Sequence, residues 1–132
     1  MSEAWSSWVP VLKVRDAHAS ARFYRDALGF DIDWEHRYAD DFPLYVQVSK
    51  PPLTLHLSEH DGGTRSGQFF IRVPDVDAVY RDVRSRGFDT ETEPVNQDYG
   101  MRDFLLIDPD GHGITLGSPA GFPTELHRQP ED

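Results

Sequence analysis

One pattern is stated twice in this chain, about 59 residues apart (Asp16 to Asp75), and it constrains the fold more than any other feature. The first copy reads Val14-Arg15-Asp16, a helical stretch with Phe23-Tyr24, then Leu28-Gly29-Phe30. The second reads Val73-Pro74-Asp75, a helical stretch with Val79-Tyr80, then Arg86-Gly87-Phe88. Each copy opens with a strand and ends in Gly-Phe entering another strand. A period this long with only two copies excludes a solenoid. It predicts an α+β fold of two βαβββ modules, whose half-open sheets can close around one cavity.

Periodicity fills in the elements. Residues 8–14 read as a strand, with Pro10 at an edge, at a strand start or where two chains meet, because proline has no N–H to give. Asp16 suits the N-cap of a helix over 17–28, with an apolar stripe of Ala19, Phe23, Tyr24 and Leu28 and a C-cap at Gly29. Strands follow at about 30–37, 43–49 and 53–58. Leu44, Val46 and Val48 alternate with Tyr45, Gln47 and Ser49; Leu53, Leu55 and Leu57 alternate with Thr54, His56 and Ser58. The aliphatic set meets the helix. The polar and aromatic set is costly to bury unpaired, and a cavity holding water or ligand accounts for it. Gly62-Gly63 marks a linker over 59–66. The second module runs strand 67–73, helix 75–86, strands at about 88–94, 101–107 and 112–117, with the turn Asp108-Pro109-Asp110-Gly111 before the last. The chain is thus one domain, with module one over about 8–58, module two over about 67–118, and an irregular tail to residue 132.

Charge and composition narrow the function. Asp and Glu number 23 against 13 Lys and Arg, a net charge of −10. Neutralising phosphates needs a surplus of cations, so nucleic acid is disfavoured, while cationic small molecules are attracted. No apolar run reaches the ~18 residues that span a bilayer, so no membrane role is expected. Neither a secretory signal nor any cysteine is present, which excludes thiolate chemistry and fits a cytoplasmic protein.

The runs Val9 to Phe30, Arg72 to Phe88 and Tyr99 to Leu116 together resemble the vicinal oxygen chelate superfamily of glyoxalases, fosfomycin-resistance transferases, extradiol dioxygenases and bleomycin-resistance proteins. The similarity covers roughly residues 8–118. It implies eight strands in an open barrel-like cup and a homodimer, here with exchange of the first strand between subunits. In the metal enzymes of that superfamily, ligands occupy four corresponding places, which fall here on Val9, His56, Gln68 and Thr115. Valine cannot coordinate, threonine and glutamine are poor donors, and one histidine does not hold a catalytic divalent ion. No metal and no other cofactor is therefore expected.

What remains is similar to the bleomycin-resistance branch, through valine at the first ligand place and the run Tyr99-Gly100-Met101-Arg102, where the branch usually carries Trp first. The resemblance implies a binding protein that sequesters an aromatic, cationic antibiotic or metabolite in a groove at a dimer interface, without altering it. Candidate contacts are Trp34, Tyr45, Gln47, His56, Ser58, Gln68, Phe70, Tyr99, Arg102, Phe104 and Thr115. None is assigned a catalytic role. Arg102 has surface partners to choose from in Asp103 and Glu91, and His112 reads as part of a turn. Two alternatives stay open: a lyase, isomerase or dioxygenase of the same superfamily using His56, with or without a metal, and a binder serving self-protection or delivery rather than resistance.

Overall fold

The computed structural model describes residues 4–121, which fall into two compact units meeting between Arg65 and Ser66. In the first, β1 (Val11–Lys13), α1 (Ala17–Leu28), β2 (Asp31–His36), β3 (Tyr45–Lys50) and β4 (Leu53–Ser58) form a sheet of order β1-β4-β3-β2. In the second, β5 (Gln68–Arg72), α2 (Val76–Ser85), β6 (Val95–Asn96), β7 (Met101–Ile107) and β8 (Gly113–Pro119) form a sheet of order β5-β8-β7-β6. The two orders are the same pattern, with one parallel pair and two antiparallel pairs in each. The duplication in the sequence is therefore a duplication of topology. The eight strands stay in two sheets of four and do not close into a barrel. β1 pairs with β4 of its own module, Val11 opposite His56.

Local chemistry explains the boundaries. The Asp16 carboxylate accepts the Ala19 N–H at 3.0 Å, and Gly29, at φ 79°, closes α1 through its N–H to the Arg25 carbonyl. Asp75 repeats the first device on Ala78 at 3.1 Å. The buried stripe of α1 is Ala17, Ser20, Ala21, Tyr24 and Ala27, so Ala19, Phe23 and Leu28 lie further from the core than the spacing suggested. Small residues let the helix approach the sheet, and Tyr24 fills the gap against Phe30. Leu12, Leu44, Val46, Val48 and Leu57 complete that core; Val76, Val83, Phe104, Leu106 and Ile114 form the second.

Three expectations shift. The strand placed at 88–94 is the two-residue β6 further on, because Pro94 cannot donate to a ladder and the Thr92 hydroxyl already accepts the Leu105 N–H at 2.9 Å. The Gly62-Gly63 segment is not a loose linker: Thr64 exchanges backbone hydrogen bonds with Val11 and Lys13 at 2.9 and 2.8 Å, covering the outer edge of β1. A side chain on Gly63 would meet the Lys13 nitrogen at 2.8 Å. The last strand, expected over 112–117, runs on to Pro119; residues 122–132, with Pro123 and Pro130, lie outside the described residues.

Candidate functional site

Each sheet has one face against its helix and one face free of it, and the second kind carries the chemistry. On the first sheet, an irregularity in β2 builds it. Ile32 pairs with Val48 and Trp34 with Gln47, so Asp33 is an extra residue, a β-bulge. The bulge aims both Asp33 and Trp34 at Gln47's face, where strict alternation would separate them. Glu35 then turns back to α1, 2.8 Å from His18.

Trp34 stacks on Tyr45 with ring centroids 6.2 Å apart and planes 6° from parallel, and it meets the His56 ring edge-on at 5.4 Å. A hydrogen-bond chain locks two of these rings, Tyr45 and His56. The Asp33 carboxylate, an acceptor only, takes the Gln47 amide N–H at 3.0 Å. That turns the Gln47 carbonyl oxygen to His56 Nε2, 2.9 Å away, so Nε2 must be the donor. Nδ1 is then a bare lone pair, and it accepts the Tyr45 hydroxyl at 2.8 Å. In the neutral imidazole both nitrogens are then engaged. Burial pushes its pKa below the ordinary histidine value and pushes the Tyr45 phenol up.

On the second sheet, Gln68 and Phe70 of β5, Thr115 of β8 and Asp103 of β7 share the helix-free face. Gly117 makes room for Phe70: a Cβ there would lie 2.7 Å from the Phe70 ring tip and 2.9 Å from Asp103 Cβ. Asp103 is only 4% exposed, beneath rings that are not: Phe70 and Tyr99 are 44% and 42% exposed. Its carboxylate accepts the Tyr99 hydroxyl at 2.5 Å and the Gln97 amide at 2.9 Å, all neutral donors. The Asp103 hydrogen bond, with a smaller part from burial, pushes the Tyr99 phenol up to about 12.

The structure therefore brings Trp34, Tyr45, Gln47 and His56 into one network, and places Gln68, Phe70, Tyr99 and Thr115 on the other unit's open face. Three candidates leave the site. Phe104 is fully buried against Tyr80 of α2, ring centroids 5.2 Å apart. Arg102 shares that helix side of β7 and forks onto Asp77 of α2 at 3.0–3.2 Å, a partner other than Asp103 or Glu91. Ser58 is buried, its hydroxyl oxygen accepting the His60 N–H at 3.0 Å where the chain leaves β4. His112 belongs to the turn: its Nδ1 accepts the Gly67 N–H at 2.7 Å, and Asp108 accepts the N–H groups of Asp110 and His112. Sequence reasoning missed Asp33, Gln97 and Asp103. Alternation along β7 from Phe104 would have found Asp103; nothing in the sequence marked the bulge that recruits Asp33.

These residues do not fit a metal of the kind the superfamily's enzymes hold. The His56 lone pair already accepts Tyr45, and Val9 has no donor. Among the described residues, no three His, Cys, Asp or Glu side chains stand together as a metal-holding group. No helix among them is long and apolar enough to cross a membrane.

Comparison with solved structures finds the same fold in TnmS3, an antibiotic-binding protein from Streptomyces sp. CB03234: 24% identity over 90% of this chain and 99% of that one, TM-score 0.73. TioX from Micromonospora sp. ML1 gives 17% identity over 87% and 99%, TM-score 0.73. A glyoxalase/bleomycin resistance protein from Streptomyces sp. CB03234 gives 26% identity over 82% and 96%, TM-score 0.65. The comparison with curated proteins finds no match. The family model described as "Glyoxalase superfamily protein" matches residues 3–119, nearly the whole chain, and this protein belongs to that superfamily.

Proposed function

We propose that this chain is a metal-free small-molecule binding protein of the bleomycin-resistance type, which sequesters a planar aromatic, cationic compound without altering it. One observation carries the reading: on both helix-free faces a tyrosine is held by hydrogen bonds that lead to a carboxylate, Tyr45 through His56 and Gln47 to Asp33 in one unit and Tyr99 directly to Asp103 in the other, beside the partly exposed rings of Trp34 and Phe70. Rings offer stacking and cation–π attraction, each worth roughly 0.5–2 kcal/mol, and the carboxylates supply the counter-charge. The net charge of −10 draws cations toward both. Full engagement of both His56 nitrogens supports a fixed wall rather than a general base. The antibiotic-binding TnmS3 lends the same direction from a shared fold. The protein works as a cytoplasmic homodimer, the second copy adding aromatic contacts.

A thermal-shift panel of planar cationic and glycopeptide antibiotics, run beside Mn, Fe, Ni and Zn salts, tests this. A binder gains stability with ligand occupancy. Shifts from the antibiotics support the reading, and shifts from the metal salts alone overturn it. Sedimentation as a monomer at micromolar concentration overturns the dimer.

A further inference from the structure

The hydrogen-bond chain on the first sheet has a direction, and the direction selects what a ligand must present. It begins at Asp33, which can only accept: the Gln47 amide donates to Asp33, His56 Nε2 donates to the Gln47 oxygen and, while the ring is neutral, Tyr45 donates to Nδ1. The single proton of the Tyr45 hydroxyl is spent on His56. Its oxygen has no other hydrogen bond among the described residues, and its ring stacks on that of Trp34, a residue 44% exposed.

We propose that the Tyr45 hydroxyl is the specificity element of the first sheet: with His56 neutral it offers a ligand only lone pairs, so the compound stacked on Trp34 carries a hydrogen-bond donor at that point, and protonation of His56 reverses the preference. An imidazolium has N–H on both nitrogens, so Tyr45 must turn its oxygen toward Nδ1 and its proton outward. The site then seeks an acceptor. This rests on the binding reading above and adds the chemistry of the bound group.

The surroundings of His56 leave the ring's charge to this chain of groups. Asp33 and His36 on β2 are the nearest titratable groups of that strand's open face, with Asp33 separated from the imidazole by the Gln47 amide. Tyr45 is the one on β3. On β1, Val11 stands opposite His56, and Lys13 is turned to the Glu59 carbonyl and to Asp61 at 3.5 Å. His60, past the end of β4, lies against the Tyr45 ring at 6.4 Å rather than on His56.

Two measurements on the whole protein test the proposal. Two-bond proton–nitrogen correlation spectra across pH read the tautomer directly. His56 as the Nε2–H form at neutral pH is expected; the Nδ1–H form, or an imidazolium at neutral pH, overturns the proposal without touching the binding reading. The second uses indole, a planar donor, and 1-methylindole, the same ring without the donor, followed by shifts of the Trp34 and Tyr45 resonances. At about pH 8 indole binds roughly five-fold tighter than 1-methylindole, the worth of one net hydrogen bond. Below the His56 midpoint the preference disappears, and Tyr45→Phe abolishes it at every pH. Equal binding of the two probes by the native protein at about pH 8 overturns the proposal. Failure of both probes to move either residue overturns it together with the binding reading.

Discussion

Gly117→Ala puts the geometry of the second sheet to a quantitative test. The new methyl would stand 2.7 Å from the Phe70 ring tip, 2.9 Å from Asp103 Cβ and 3.1 Å from the Arg102 carbonyl oxygen. Phe70 is half-exposed and can swing away. The other two atoms are fixed by backbone in the middle of the β7–β8 ladder, where Asp103 pairs with Gly117, so strain stays behind after Phe70 moves. Overpacking of this kind costs about 1–3 kcal/mol, and two immovable neighbours argue for about 2. At roughly 4 °C per kcal/mol for a chain of this size, the thermal midpoint falls by about 8 °C. Phe70→Ala in the same molecule relieves one contact of three, so the double variant recovers about 0.5–1 kcal/mol relative to the sum of the singles. Displacing Phe70 also removes a ring from the open face, so affinity for planar ligands falls with stability. A Gly117→Ala protein within about 0.5 kcal/mol of the parent by denaturant titration refutes the close approach of the Asp103 Cβ and the Arg102 carbonyl to Gly117.

Other outcomes follow from single side chains. Glu59 accepts the Ala17 N–H at 2.8 Å and the Leu44 N–H at 3.0 Å, tying the start of α1 to the start of β3; Glu59→Gln keeps one acceptor for two donors and costs about 1–3 kcal/mol in denaturant unfolding. Phe104→Ala empties the second core and costs about 3–5 kcal/mol, whereas Arg102→Ala, losing a solvent-screened ion pair to Asp77, changes stability far less and leaves ligand affinity intact. Tyr99 ionises near 12 in the folded protein, above its ordinary 10.0, so the folded form keeps a proton the unfolded chain has lost. The stability it contributes is present below about pH 10 and is lost as pH rises through about 12. Tyrosinate absorbance should show this late titration and its return toward the ordinary value in Asp103→Asn.

The elements that local rules govern were legible in the sequence. Asp16 and Gly29 bound α1 where capping chemistry places them, and the alternation of residues 44–48 and 53–58 separates the core from the open face. The site was half legible for the same reason. Tyr45, Gln47 and His56 sit on strands that alternate regularly, so their shared face could be read. Asp33 joins them only through a bulge, a register shift set by the pairing of β2 with β3 and by no residue type. Asp103 was readable from the parity of β7, which places Arg102 and Phe104 against α2 and Asp103 opposite them. Ser58 shares the parity of His56 and still leaves the face, because the chain turns immediately after it and the His60 N–H claims its hydroxyl. Parity assigns a face and says nothing about what the next turn takes.

The account stands on fixed aromatic walls that hold a flat cation and do no chemistry on it. Isothermal titration of chelator-treated protein with proflavine, followed by mass analysis of the recovered dye, tests that most directly. The account predicts saturable binding on each open face, weakened about ten-fold by Trp34→Ala on the first and by Phe70→Ala on the second, with the dye returned unchanged. Binding that appears only when a divalent metal is restored, or a dye returned altered, contradicts it.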